Sequence, residues 1–324
     1  MNIRKNRKKI LKFILKIIIV IFAYLFIVYK LLQDDLYTQI VLVFTNIDSN
    51  RFFILIIVGL LMFINWFTEA LKWRFILQKV EKISILTSLK AVFSGVTLAI
   101  FTPNRIGELG GRVFVLLPQN RIKGVLSSSI GSLSQLNITV FMGIIGISLL
   151  ALFYGESFLP SQKNIIVIVS ILIILIAFLL LLLYFSLNKF SYFILKFKYF
   201  EKHADKIEFF KQFNNVQLAQ ILGYSLLRYV IFTTQFYLLL IFFEVDISIF
   251  EAYISIASIY LIINIIPSIV LSDIGVRGSV SIFIFGIFSQ AEGGIFLTST
   301  FLWLINLVVP AIIGSLVLII SKKL

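Results

Sequence analysis

The chain has no cysteine, one histidine, five prolines and three tryptophans in 324 residues, and only 15 acids stand against 29 Lys and Arg. The missing cysteines exclude disulfides and thiolate metal sites. A lone His203 cannot build a clustered-imidazole metal centre, and in its polar, Lys-rich surroundings it reads as a solvated residue. Nothing in the composition calls for a metal or a cofactor. Charge is scarce as well: 14% of residues are charged, 60% are hydrophobic, and the mean hydropathy is +1.05. A soluble domain is thereby excluded, since too little polar surface remains to cover one core. A transmembrane barrel is excluded too, because runs such as 164–187 are uniformly apolar, not alternating over segments of about ten residues.

What remains is an all-α polytopic membrane protein. Met1 to Lys12 carry six Lys/Arg and precede an apolar stretch from Phe13 to Leu32 with no small-residue cleavage site after it. That pattern predicts an uncleaved anchor with a cytoplasmic N-terminus. The hydropathy predicts about six full spans, near 13–32, 52–77, 124–153, 164–187, 218–243 and 295–320. Two further regions, 87–118 and 251–289, each hold an apolar arm of about 15 residues, a break rich in Pro, Gly and charge, and a second short arm, too short to cross a core that needs about 20. Both are expected to be re-entrant helical hairpins, tolerated where protein or a wet cavity satisfies their backbone.

Charge placement supports that topology. With both regions as hairpins, the segments 1–12, 72–90, 119–123, 188–217 and 321–324 share one side and carry six, five, two, six and two Lys/Arg, 21 of the 29. The other side keeps Lys30, Arg51 and Lys163 and collects Asp34, Asp35, Asp48, Glu156, Glu244, Asp246, Glu251 and Glu292. This is the positive-inside asymmetry, and counting either hairpin as one crossing would spoil it. Both termini are then cytoplasmic. The same count sets the two hairpins in opposite orientation, giving one integral membrane domain over 1–324 with inverted repeats near 52–153 and 218–320. Matched broken helices in inverted halves point to a midplane transport site.

The first break reads Thr102-Pro103-Asn104-Arg105-Ile106-Gly107-Glu108, with Arg112 following; the second holds Pro267, Asp273, Gly275, Arg277 and Gly278. Pro103, Gly107, Pro267 and Gly275 are expected to shape the turns. A charge at mid-bilayer costs roughly 2.5 to 3.5 kcal/mol even on low estimates, so Arg105, Glu108 and Arg112 should face protein or water. Arg228 lies about ten residues into its span and needs a partner or a wet cavity on the same ground. Asp273 and Arg277, four apart on a helix, can pair with each other or meet a ligand. Glu69, Lys72 and Arg74 have two readings, intramembrane charges of the site, with Glu69 sharing a helical face with Lys72 or Trp73, or snorkelling at the cytoplasmic interface with Trp66 and Trp73 as belt residues, and the charge count takes Glu69 as interfacial. On that reading Arg105, Arg112, Arg228 and Arg277 face only two buried acids, Glu108 and Asp273, so an anionic ligand or water must neutralise the remainder.

The Thr102 to Glu108 segment with Arg112 resembles the Pro-Gly-x-x-Gly-Glu signature of the lysylphosphatidylglycerol synthase/flippase transmembrane-domain family. Lys72-Trp73-Arg74, the Arg228 span running to Gln235-Phe236-Tyr237, and Ile266-Pro267 leading to Gly275-Val276-Arg277 are similar to its other motifs, so the likeness covers nearly the whole chain. Two positions depart from it: Asn104 stands where a Gly is common, and Gly278 where a Glu commonly follows Gly-x-Arg. The resemblance implies a bundle with two oppositely inserted hairpins that moves phospholipid or other lipid-linked headgroups across the bilayer. The aminoacyl-transferase domain of some members is not expected, since the sequence ends at Leu324.

The leading expectation is therefore a non-enzymatic lipid flippase of the cytoplasmic membrane. Arg105, Arg112, Arg228 and Arg277 would receive an anionic headgroup, Asp273 would border it, and Glu108 would balance charge or couple protons; a planar guanidinium suits phosphate through bidentate donation. One alternative is a polyprenyl-phosphate-dependent glycosyltransferase using Asp34 and Asp35. Another is an accessory protein in lipid-linked glycan assembly, without transport. The expected partners are anionic membrane lipids, with a homo-oligomer left open. Nucleic acid is not expected, because the basic-aromatic stretch 188–216 sits beside a span and suits an anionic leaflet.

Overall fold

Apolar runs closed by polar caps dictate the helices. In the computed structural model, which describes residues 47–100, 102, 106–155, 163–186, 209–266 and 270–320, helix α1 (Ser49–Leu77) starts where the Asp48 carboxylate accepts the Arg51 N–H at 2.9 Å. Helix α2 (Ile85–Ala99) starts where Ser84 Oγ accepts the Thr87 N–H at 3.1 Å. After the break come the short α3 (Gly107–Val113), a 3-10 turn over Pro118–Asn120, the long α4 (Arg121–Tyr154) and α5 (Lys163–Phe185). The second half opens with α6 (Asn215–Phe242) and α7 (Ile249–Ile265), each set by a capping box, Asn214 with Gln217 and Ser248 with Glu251. Helix α8 (Val270–Phe285) follows, then α9 (Glu292–Trp303), a π-helical turn at Leu304–Val308, and α10 (Val309–Ile320) as one continuous apolar rod. Among the described residues there is no strand, and five helical stretches are long and apolar enough to cross a membrane. The expected span at 13–32 lies outside the described residues, as do the 188–208 part of the basic-aromatic stretch, His203, Asp34 and Asp35.

Both short-helix pairs return to the end of the bundle from which they set out, and the ends are opposite. At the end of α1 marked by Glu81, the carboxylate accepts from Asn120 Nδ2 at 2.8 Å, so α2 leaves and α4 begins side by side. At the other end Arg51 forms an ion pair with Glu244, and Tyr154 donates to Glu251 at 3.0 Å. Gly294 at the start of α9 packs there against the Phe243 carbonyl, so α7 leaves and α9 begins at this end. The 29 residues of α1 hold the two ends about 43 Å apart at 1.5 Å per residue. Helices α2 and α7, at 15 and 17 residues, reach only about 22 to 26 Å and do not traverse that length.

The packing exchanges partners between halves. Helix α7 lies on α4, and α2 lies on α10. Both contacts are backbone-close because one side is glycine: a Cβ on Gly143 would come within 2.4 Å of Leu261 Cβ, and one on Gly314 within 2.0 Å of the Phe93 carbonyl oxygen. Such small-residue faces are how helices associate where lipid is as apolar as their side chains. Apolar cores form at both ends. One joins Trp66, Trp73, Val92, Val96 and Leu116 to Leu307 and Ala311; the other joins Val58, Phe236, Leu239 and Ile256 to Phe285 and Phe301. Between them runs a charged layer.

Two expectations need correction here. Trp66 and Trp73 are not belt residues: both are buried, and Trp73 Nε1 donates to Ser128 Oγ at 2.9 Å, because α4 and α2 cover that face of α1. The second break is shorter than its sequence suggests. Asp273, Gly275 and Arg277 already lie within α8, and Gly275 is an exposed helical glycine, not a turn residue, since the roughly 1 kcal/mol cost of each of the two glycines, Gly275 and Gly278, is tolerated in a helix otherwise free of breakers. Gly107 does shape its turn. Its N–H donates to Thr102 Oγ1 at 2.7 Å, and a Cβ there would fall 2.3 Å from the Leu98 carbonyl oxygen.

Candidate functional site

The charged layer surrounds a cavity of about 530 Å³ between the tips of the two short-helix pairs, a volume within the usual range for ligand sites. Helix α1 brings Trp66, Glu69 and Lys72; the first break and α3 bring Thr102, Ile106, Glu108 and Arg112. Helices α4 and α6 add Gln135, Arg228 and Phe232, and the second half closes the space with Tyr260, Asn264, Asp273, Arg277, Trp303 and Asn306.

Glu69 is the hub. Its carboxylate is buried and accepts Arg112 Nη1 at 2.7 Å on one oxygen, while the other accepts Arg228 Nη1 and lies 2.8 Å from Lys72 Nζ. Arg112 also donates to Glu108, one turn back on α3, so this guanidinium fastens the first short-helix pair to α1. Arg228, at the midpoint of α6, donates from Nε to Asn65 Oδ1 at 2.9 Å, and its guanidinium lies between Trp66 and Phe232, 5.4 and 5.6 Å from their ring centres. Aromatic faces of this kind attract a cation more strongly once it is desolvated. Lys72 reaches across to donate to the Gly131 carbonyl at 3.2 Å and to Ser225 Oγ at 3.3 Å, tying α1 to α4 and α6. In the second half, Asp273 accepts Trp303 Nε1 at 3.2 Å and forms an ion pair with Arg277 at 3.0 Å.

Of the residues singled out in the sequence, Glu108, Arg112, Arg228, Asp273 and Arg277 converge on this one cavity. Arg105, Pro103 and Pro267 lie outside the described residues. The reading of Glu69 and Lys72 as snorkelling is overturned: both are buried and both line the cavity. The charge count changes with them, to four cations (Lys72, Arg112, Arg228, Arg277) against three carboxylates (Glu69, Glu108, Asp273) among the described lining residues. An excess of positive charge survives in a smaller form. Sequence reasoning also missed Asn65, Gln135, Trp303 and Asn306. A signal for the first was available, since Asn65, Glu69, Lys72 and Trp73 follow the spacing of a single helical face.

The family model for the lysylphosphatidylglycerol synthase TM region matches residues 13–314. The chain belongs to that family. As a member of the lysylphosphatidylglycerol synthase TM-region family it is a multi-pass membrane protein with a role connected to membrane lipids. No curated protein and no solved structure matches it. Within this family member the cavity has two kinds of wall. Buried charges form its floor, while Ile106, Ser132, Leu136, Asn264 and Ile266 line it and are exposed at its mouth. Three of those five are apolar side chains that a bilayer accommodates.

Proposed function

We propose that this protein translocates phospholipid or other lipid-linked anionic headgroups across the cytoplasmic membrane, without catalysing a covalent reaction. The observation that carries the reading is the cavity itself, a net-positive polar space at the tips of both short-helix pairs with an apolar, exposed mouth. A lipid has that same division, an anionic head on apolar tails. Arg112, Arg228 and Arg277 serve the phosphate, and Glu108 and Asp273 hold those arginines in place, the charge-assisted geometry that suits phosphate best. In this reading the pairs α2/α3 and α7/α8 are re-entrant hairpins of inverted repeats near 52–153 and 218–320, and both termini are cytoplasmic. The exchanged packing of α2 on α10 and α7 on α4, and the return of each pair to its own end of the bundle, support that arrangement.

The test is lipid movement in proteoliposomes reconstituted with the purified protein, read by loss of a reporter lipid from the outer leaflet. Accelerated movement of anionic lipid over protein-free vesicles is the expected result. Glu108→Gln keeps the side chain's shape and removes its charge, so a folded protein with impaired movement is expected. Wild-type rates in Glu108→Gln would assign that residue to packing, and no acceleration by the wild type would defeat the transport reading.

A further inference from the structure

Among the described lining residues, Lys72 is the one cation that can change its charge. Arg112, Arg228 and Arg277 stay protonated, whereas lysine is the cation whose protonation a buried setting can alter. The side chain is 1% exposed, and its Nζ lies 2.8 Å from the Glu69 carboxylate that Arg112 and Arg228 also bond, so three cations converge on one carboxylate. Burial and two fixed positive charges oppose the ammonium, and the shared carboxylate supports it. The other titratable groups among the described residues are placed as follows: Glu108 lies with Arg112 on α3, Asp273 pairs with Arg277 on α8, Tyr229 and Tyr260 add phenols to the lining, and α5 brings Tyr184 beside Ser134. Helices α2 and α4 add none to the lining.

The hydrogen bonds around Nζ fit both charge states. An ammonium has three N–H groups, and three acceptors meet them: the Glu69 carboxylate, the Gly131 carbonyl at 3.2 Å and Ser225 Oγ at 3.3 Å. Behind Ser225 stands a second hydroxyl. Ser225 Oγ lies 2.7 Å from Ser134 Oγ with either group able to donate, and Ser134 Oγ also donates to the Gly131 carbonyl at 2.8 Å. With the ammonium, Ser225 accepts from Lys72 and donates to Ser134, which donates to Gly131. With the amine, Ser134 turns to donate to Ser225, and Ser225 turns to donate to the new lone pair on Nζ, while the two remaining N–H groups keep Glu69 and Gly131. Both serines are fully buried, and neither state leaves one of these groups without a partner. The pair thus lets a buried lysine change charge without the cost that would otherwise hold it in one state.

We propose, on the reading that this cavity holds an anionic headgroup, that it takes up a proton together with its anion, with Lys72 as the proton's site. Nζ gives its third proton to water in the cavity it lines, and regains it from there. An anion beside Arg112 and Arg228 favours the ammonium over the amine, and the ammonium favours the anion by the same free energy. A headgroup with one negative charge then enters with one positive charge, so the loaded cavity carries the net charge of the empty one. A difference in proton concentration across the membrane thereby becomes able to drive lipid movement.

The test is the pH dependence of anion affinity, measured on the purified full chain in nonionic detergent at fixed ionic strength. The probe is phosphatidylmethanol, a phosphodiester whose single charge does not change between about pH 6 and about pH 10. Wild-type affinity should be level at the acid end and then fall by about tenfold per pH unit as Lys72 gives up its proton. Lys72→Arg holds its charge at every pH and should bind without that fall; Lys72→Met has no charge to lose and should bind weakly throughout. In lightly buffered solution within the falling range, a pH-indicating dye should report uptake approaching about one proton per probe bound by wild type, and none by either variant. The wild-type dye reading decides the matter even where a variant does not fold. Affinity that stays level across the range, or binding without proton uptake, would overturn the proposal and leave the anionic-site reading standing. A fall of equal steepness in wild type and Lys72→Arg would overturn it as well. Binding of the probe at no pH would defeat the headgroup reading and this inference with it.

Discussion

Glu69→Gln isolates the element on which the whole charged layer depends. The substitution preserves shape, but one carboxylate oxygen becomes an amide NH2 facing a donor. Glu69 now accepts from Arg112 on one oxygen and from Arg228 on the other, with Lys72 beside the second. Glutamine can satisfy one arginine at most, and three cations then lie buried against a neutral group. Removing one partner of a buried pair is typically destabilising by about 3 to 5 kcal/mol. The cavity admits water beside this cluster, so the lower end applies, about 3 kcal/mol, against the 5 to 15 kcal/mol of an ordinary fold. In thermal unfolding of detergent-purified protein this should read as a fall in Tm of roughly 5 to 10 °C. A second reading follows from the same charge balance: anionic lipid should stabilise Glu69→Gln more than wild type, because a ligand that binds only the folded state raises its stability by an amount that grows with the logarithm of its affinity. A variant with the wild-type Tm and the wild-type response to anionic lipid would show that the three cations are neutralised elsewhere, and the hub assignment would fall.

Arg228→Lys keeps the charge but loses the Nε bond to Asn65 and the flat face held by Trp66 and Phe232, so anionic-lipid affinity should fall about tenfold with the fold retained; unchanged affinity in both Arg228→Lys and Arg228→Ala would remove it from the headgroup site. Gly314→Ala should destabilise by about 1 to 3 kcal/mol, because its Cβ meets the Phe93 carbonyl, whereas Gly59→Ala has open space and should stabilise by up to about 1 kcal/mol in chemical denaturation. Single cysteines at Gly110 and Gly275, both with open space for a side chain in this cysteine-free chain, should label from opposite faces of the membrane; labelling from the same face would defeat the inverted arrangement.

Legibility in the sequence followed the strength of the physical constraint. Among the described residues, long apolar runs set the spans to within a few residues, as at 164–187 against Lys163–Phe185, because only a helix satisfies the backbone in lipid. Arg112 and Arg228 were legible for the same reason, since a charge in that setting must have a partner. The partner itself was not legible. Glu69 lies eight residues from the end of α1, a depth compatible with snorkelling, and only the packing of α2, α4 and α6 around it closes the route to the interface. The π turn at Leu304–Val308 left no trace either, as its sequence, Asn306 apart, is that of an ordinary apolar helix.

The exchanged packing bears on how such a site would work. Helix α4 leaves the tip-bearing first pair and carries the glycines on which α7 rests; α10 ends the rod that follows the second pair and carries the glycine on which α2 rests. Each pair is thus joined by chain to one closing span and by packing to the other. A shift of α2 and α3 would load α4 through the 3-10 turn at Pro118–Asn120, and α4 bears directly on α7. Close-packed glycine faces leave little slack to absorb such a displacement, since interiors at this density transmit strain. Arg112 sets where the motion begins: its bonds to Glu69 and Glu108 hold α3 against α1, and a phosphate that competes for this guanidinium would loosen that tie while occupying the cavity between both tips. For a transporter built on this plan, headgroup binding and release of the first pair would therefore be a single event, which predicts that Arg112→Lys, keeping charge but unable to bridge two carboxylates in one plane, should raise basal lipid movement and weaken its dependence on headgroup. The check is the ratio of anionic to zwitterionic lipid movement in vesicles of matched composition; a ratio equal to that of the wild type would separate the Arg112 bridge from the opening step.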